Sequence, residues 1–144
     1  PRLVVVTNQR QWRNALYGAV IRRLNFLPID MGFDAMQQQV GRLVKEGYSV
    51  VIFPEGTRSR NGHIGRFHQG AFALAAHLKL PLVPVVLHGT DRIFPKGSHT
   101  FRRGKIEVEI HPAWPAPDNN EAAIRETRHK MRALFMERLG QGGG

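Results

Sequence analysis

The chain has 144 residues and a mass of 16.3 kDa, a length typical of one domain. Hydrophobic residues make up 42% and charged residues 22%, which excludes a disordered tail, and the lack of cysteine excludes disulfides, thiolate nucleophiles and cysteine-ligated metal sites. The formal net charge of +10 favours polyanionic partners: nucleic acid, anionic lipid headgroups or phosphorylated small molecules.

The first half of the chain alternates strand and helix patterns. Apolar β-branched residues at 3–7 predict a strand buried on both faces, and apolar spacing over 12–24 predicts a helix. Residues 26–29 predict a short strand, which Pro28 places at a sheet edge. A second amphipathic helix follows and ends at Gly47.

The second half continues the alternation. Residues 48–53 predict a buried strand that stops at Pro54, and the polar, glycine-containing stretch that follows predicts a long loop. The remaining predicted elements are a helix over 71–78, a strand over 82–87, a half-exposed strand over 106–110 and a helix over 124–139.

This alternation predicts the α/β class, with a single domain built on a mostly parallel central sheet and helices on both faces. We expect that domain to cover residues 1–139, and residues 140–144 to be a Gly-rich tail or a cloning remnant. Ligands of such sheets bind beyond the carboxyl ends of the strands, and polar segments follow two predicted strands, at 54–60 and 88–92. The sequence therefore predicts the cleft there.

Several common catalytic and metal motifs are absent. The chain has no phosphate-binding GxxxxGK[ST] loop, no GxGxxG after a strand, no GxSxG and no HExxH. Its seven histidines show no paired spacing typical of a metal site, so no metal is expected. A lone histidine such as His77 is typical of a surface or a satisfied core position.

Residues 53–62, Phe-Pro-Glu-Gly-Thr-Arg-Ser-Arg-Asn-Gly, carry the clearest chemical pattern. A strand ends, a glycine lets the backbone turn, and Glu55 and Arg58 then project together. The planar guanidinium of arginine matches phosphate oxygens in a bidentate way, while Thr57 and Ser59 add hydroxyl donors. Taken alone, the same pattern is also compatible with a solvated loop that holds an incidental ion pair.

Residues 53–59 resemble the FPEGTRS block of the glycerolipid acyltransferase family, typified by the 1-acyl-glycerol-3-phosphate acyltransferases. Residues 66–72 resemble the segment that begins the next helix in that family, and 83–85 resemble its Val-Pro-hydrophobic strand. Residues 26–30 lie where its second block belongs. The likeness covers roughly residues 3–90 in the order of the family, and it implies a glycerol-3-phosphate acyltransferase-like fold.

The resemblance implies transfer of a fatty acyl group from acyl-CoA or acyl carrier protein to a lysophospholipid or glycerol-phosphate hydroxyl in phospholipid synthesis. It implies no tightly bound cofactor and a peripheral location on the cytoplasmic face of the membrane. The implied substrate-binding residues are Glu55, Gly56, Thr57, Arg58, Ser59 and Pro84.

Two departures from the family pattern concern its chemistry. In this family, catalysis is attributed to a histidine and an aspartate spaced HxxxxD, with the histidine as general base. In this sequence, no histidine has an aspartate five positions later. We expect that the pair precedes Pro1 and that this chain alone is inactive. Whether a longer chain carries further domains is left open. The second departure is Met31, where many members carry a phosphate-binding arginine.

A basic run with no acid extends from position 92 to 105, and we expect it either to be simply solvated or to contact anionic membranes. Its cations are Arg92, Lys96, Arg102, Arg103 and Lys105. Two alternatives to an acyltransferase stay open. One is a non-catalytic lipid-binding homologue, and the other is a basic nucleic-acid-binding module. Against the second, aromatic residues do not alternate with the basic ones as a stacking platform requires, so no nucleic acid is expected as partner.

Overall fold

The computed structural model describes residues 2–7, 26–57, 63–93 and 102–141. They belong to two compact units, Pro1–Gly56 and Thr57–Gly144, which are described in turn. The helix predicted over 12–24 lies outside the described residues.

The described residues of the first unit form a parallel three-stranded sheet and one long helix. Its elements are β1 (Arg2–Thr7), β2 (Phe26–Pro28), a 3₁₀ turn (Ile29–Met31), α1 (Phe33–Lys45) and β3 (Tyr48–Ile52). The strand order is β2-β1-β3, so β1 is central and the proline-containing β2 is at an edge, as predicted from the missing N–H of proline.

Aliphatic side chains form the core of this unit. Val4 and Val6 on β1 are buried, and so are Met36 and Val40 on α1, a helix that packs against β3. The other face of β1 is less covered, because Leu3 is 54% exposed. The two-sided burial predicted for this strand is therefore incomplete.

The second unit combines helices with an antiparallel strand pair. Its elements are α2 (Gly70–Leu78), β4 (Val85–His88), the short α3 (Thr90–Ile93), β5 (Glu107–Ile110) and α4 (Glu121–Arg138). The predicted helices at 71–78 and 124–139 are confirmed, and α3 covers part of the polar segment noted at 88–92. None of the helices in the described ranges has both the length and the apolar character needed to cross a membrane.

An aromatic cluster forms the core of the second unit. Phe67 is 1% exposed; its ring stacks on Phe72 at 6.5 Å and meets Phe135 edge-on at 5.3 Å. Ile124 and Met131 of α4 complete the cluster, so α2 and α4 pack on each other through it. Aromatic pairs of this geometry add stability beyond the apolar area that they bury.

β4 and β5 pair with each other in antiparallel register, a pairing that the prediction of a mostly parallel sheet did not specify. Among its described residues, the connection between them carries the four-residue α3. The alternation in β5 is the reverse of the usual one, in which apolar residues face the core. Val108 and Ile110 are 58% and 70% exposed, while Glu109 lies on the other face. The parallel sheet of the first unit, with its flanking helix, confirms the α/β class.

Candidate functional site

The chain leaves β3 through a tight turn that begins the predicted site. The backbone N–H of Gly56 donates to the carbonyl of Phe53 at 3.0 Å. Pro54 and Gly56 hold the second and fourth positions of this turn, where those residues are favoured. Gly56 has a φ of +64°, a left-handed conformation that glycine adopts without steric cost. The glycine in the motif is therefore explained by backbone geometry.

The turn lies at the edge of the sheet where all three parallel strands end. Val6 pairs with Ile52, and Thr7 pairs with Pro28, so Phe53 follows at the level where β1 and β2 also end. Glu55 is half-buried just beyond this edge. The prediction that polar residues of the motif follow a strand at its carboxyl end is thus confirmed for the described part of the segment.

The remaining predicted site residues are only partly placed. Thr57 is exposed, whereas Arg58 and Ser59 lie outside the described residues, so the pairing of Glu55 with a guanidinium stays a prediction. In the second unit the Pro84 ring is buried and its carbonyl accepts from the N–H of His111 at 3.0 Å. The role of Pro84 as a wall of the acceptor site stays a prediction as well.

The basic run is exposed where the structure describes it. Arg92 on α3, Arg102 and Arg103 are all exposed, while Lys96 lies outside the described residues. Lys105 is also exposed but hydrogen-bonds the carboxylate of Glu107. That hydrogen bond, with the attraction between the two charges, raises the pKa of Lys105 and lowers that of Glu107. One cation of the run is therefore partly neutralised by an acid that follows it.

A charged cluster that the sequence did not indicate surrounds Glu109. His88 Nε2 lies 3.1 Å from Glu109 Oε2, with His111 Nε2 at 3.2 Å and Arg138 Nε at 3.5 Å from the other carboxylate oxygen. The hydrogen bond with His88 is the main cause that lowers the pKa of Glu109, and the charges of Arg138 and His111 act in the same direction. The histidines are far apart in sequence, and only the β4–β5 register and the return of α4 bring the four groups together.

A second unpredicted feature is an open cavity of about 360 Å³, lined by Arg66, Phe67, Arg128, His129 and Arg132. We call it the arginine cavity. The spacing of Arg128 and Arg132, one helical turn apart, was the available sequence signal, since residues at i and i+4 share a helix face.

No group of three histidine or carboxylate side chains in the described ranges could hold a metal ion.

Comparisons with known proteins agree with the motif. Residues 1–88 match the family model described as Acyltransferase. A human 1-acyl-sn-glycerol-3-phosphate acyltransferase alpha is 34% identical over 115 residues, covering 76% of this chain and 41% of that protein. The corresponding enzyme of Pseudomonas aeruginosa is 34% identical over 106 residues, covering 74% of this chain and 41% of that protein.

A chloroplastic relative from Brassica napus, also a 1-acyl-sn-glycerol-3-phosphate acyltransferase, is 50% identical over 70 residues, covering 48% of this chain and 20% of that protein. The crystal structure of the 1-acyl-sn-glycerophosphate acyltransferase PlsC from Thermotoga maritima superposes with a TM-score of 0.73 at 24% identity. That match covers 98% of this chain and 58% of the solved one, and it shows the fold.

The chain spans less than half the length of the curated relatives described above. With the family model matched over more than half of its residues, the chain belongs to the acyltransferase family.

Proposed function

We propose that this chain is the acyltransferase portion of an enzyme that moves a fatty acyl group from acyl-CoA or acyl carrier protein to a lysophospholipid or glycerol-phosphate hydroxyl. The observation that carries the proposal is the FPEGTRS segment, which starts at the carboxyl end of β3 inside the region that matches the family. The relatives that bear this region are named 1-acyl-sn-glycerol-3-phosphate acyltransferases.

In this proposal the loop after β3 binds the acceptor. Arg58 holds the phosphate through paired N–H donors, because its fork matches two phosphate oxygens at once. Thr57 and Ser59 donate further hydrogen bonds, and Gly56 supplies the turn that lets the loop approach the ligand. Glu55 orients Arg58 or accepts a hydrogen bond from the acceptor.

The chemical step requires a general base, and these 144 residues lack the HxxxxD pair to which the family's catalysis is attributed. The acceptor hydroxyl oxygen attacks the thioester carbonyl, a base takes the hydroxyl proton, and the thiol departs, leaving an ester. A general base contributes about 10²–10⁴-fold to such a step. No histidine in the sequence stands in the HxxxxD spacing, so we expect negligible acyl transfer by these residues alone. Robust, acceptor-dependent thioester release by the 144-residue chain would contradict this.

We place the enzyme at the cytoplasmic face of the membrane as a peripheral protein, held by the basic run. Each basic residue near an anionic surface contributes about 1 kcal/mol. Replacing Arg102 and Arg103 by glutamine should therefore reduce partition onto phosphatidylglycerol vesicles by about tenfold or more. The matched control removes the same charge from α1 by Arg42→Gln with Lys45→Gln. Equal binding of the unaltered chain to neutral and anionic vesicles would contradict the membrane contact.

The acceptor site itself is tested by binding. Arg58→Ala removes charge-assisted hydrogen bonds worth about 1.5–3 kcal/mol, so lysophosphatidate should bind at least about tenfold more weakly. Calorimetry with lysophosphatidate below its micellar concentration measures this on the 144-residue chain. In any catalytically competent form, the same change should raise the KM of the acceptor more than that of the donor.

Arg60→Ala is the matched control for this experiment, since it removes the same charge from the same loop outside the motif. We expect it to leave lysophosphatidate binding nearly unchanged. If Arg58→Ala has no more effect than Arg60→Ala, the phosphate role of Arg58 is wrong.

A further inference from the structure

The arginine cavity lies in the second unit, between the chain at Arg66–Phe67 and one face of α4. Of the five described residues that line it, three are arginines and one is histidine, and none of the five is acidic. From this arrangement we infer that the cavity binds a phosphate group, carried either by an anionic lipid headgroup or by a soluble phosphate compound. This inference does not depend on the proposed acceptor loop.

One guanidinium is held firmly at the cavity. Arg132 Nε donates to the carbonyl of Gly65 at 2.7 Å, and its Nη2 donates to the carbonyl of Ile64 at 3.2 Å. Arginine has five N–H donors, so three remain for a ligand. Because α4 and the Ile64–Gly65 segment are joined through this side chain, its position is set before a ligand arrives, which reduces the entropy that binding costs.

Among the described residues, no carboxylate lines the cavity beside the other two arginines. Arg128 Nη2 lies 3.2 Å from His129 Nε2, an imidazole nitrogen that accepts this hydrogen bond when the ring is neutral. The acid closest to Arg128 along α4, Glu126, pairs instead with Lys130 at 2.6 Å. Two residues of separation place that pair about 200° around the helix from Arg128. Neighbouring guanidinium groups repel each other, and a bound phosphate offsets that repulsion.

The floor of the cavity is rigid and apolar. Phe67 is 1% exposed and is held between Phe72 and Phe135. A volume of about 360 Å³ exceeds that of a phosphate group alone and lies at the lower end of small-ligand pockets. The cavity therefore has room for a phosphate ester, with the phosphate on the arginines.

The experiment titrates inorganic phosphate into the 144-residue chain carrying Arg58→Ala, so that the acceptor loop does not contribute, and follows histidine ring resonances by NMR. We expect the His129 resonances to shift saturably. His77, an exposed histidine on α2 outside the cavity, serves as the internal control. If His129 shifts no more than His77, and vesicles give no cavity-dependent binding either, the inference is wrong.

Variants separate the cavity from general attraction to a basic protein. Arg66→Gln with Arg128→Gln should weaken phosphate binding at least about tenfold, since each removes a charge-assisted donor set. Lys130→Gln, on the opposite side of α4, should change it little. Arg132 is left intact because it also holds the backbone, and the NMR spectrum verifies that each variant is folded. Equal losses in Arg66→Gln/Arg128→Gln and Lys130→Gln would overturn the inference.

A vesicle arm identifies the source of the phosphate. Binding to phosphatidylglycerol vesicles, but not to phosphatidylcholine vesicles, that falls at least about tenfold in Arg66→Gln/Arg128→Gln supports a lipid headgroup. Saturable binding of inorganic phosphate without a cavity-dependent vesicle term supports a soluble phosphate compound. Because lysophosphatidate also carries a phosphate, the acceptor loop is tested separately by the effect of Arg58→Ala on lysophosphatidate binding in the Arg66→Gln/Arg128→Gln background, where the cavity does not contribute.

Discussion

The two compact units of this protein are stabilised in different ways and carry different charges. The first unit buries aliphatic side chains between a parallel sheet and α1, whereas the second buries an aromatic cluster between α2 and α4. Residues 57–144 also contain 14 of the 21 lysines and arginines, including the basic run and the arginine cavity. The difference teaches that the first unit supplies the scaffold for the start of the motif. Most of the positive charge that could bind an anionic ligand belongs to the second unit.

The largest expected effect tests the contrast between the two cores. Phe67→Ala should lower the free energy of unfolding by about 3–5 kcal/mol, because it leaves a cavity where two other rings now pack. Val40→Ala removes only two methyl groups from the first core and should cost about 2 kcal/mol. Urea unfolding followed by circular dichroism measures both.

Phe53→Ala is the control for the aromatic prediction, since that side chain is 55% exposed. An exposed site away from the core should change stability by no more than about 0.5 kcal/mol. Similar losses for Phe67→Ala and Phe53→Ala would show that the aromatic cluster does not stabilise the second unit.

The next prediction contrasts the two faces of the β4–β5 pair. Val86 is fully buried, so Val86→Thr places a hydroxyl there and should cost about 1–3 kcal/mol. Val108 is 58% exposed on the opposite face, and Val108→Thr should stay within about 0.5 kcal/mol. Thermal unfolding of both variants checks the register, and equal losses at the two positions would contradict it.

The smallest expected effect concerns the pH dependence of the Glu109 cluster. The pKa of Glu109 is lowered in the folded chain, mainly by the hydrogen bond with His88, so ionised Glu109 contributes stability above the unfolded glutamate pKa of about 4.3. That contribution is lost as the pH falls through the lower folded pKa. Glu109→Gln should therefore reduce the Tm near neutral pH and match the unaltered chain in acid.

Glu126→Gln is the matched control, because the pKa of Glu126 is also lowered, by Lys130 within one exposed helix. Pairs of this kind on a helix surface contribute little, so its Tm change should be smaller over the same pH range. A Tm difference for Glu109→Gln that does not vary with pH would show that the cluster acts through packing and not through charge.

Much of the local structure could be predicted from the sequence. Apolar periodicity placed α1, α2 and α4, and the proline at 28 placed β2 at an edge, because these signals depend on residues within one or two turns of each other. The acyltransferase family followed from a seven-residue block and its neighbours, and the family model confirms it. The roles of Arg58 and Ser59 stay predictions, since these residues lie outside the described part of the chain.

By itself, the sequence determined the α/β class, the position of the motif after β3 and the basic character of the protein, because propensity, periodicity and charge are properties of short segments. Only the tertiary structure decided that β5 pairs antiparallel with β4 and that its valine and isoleucine face outwards. It also decided that Arg132 reaches the backbone 67 residues away, at Gly65. Register and long-range packing decide such contacts, since each depends on which distant segments share buried surface.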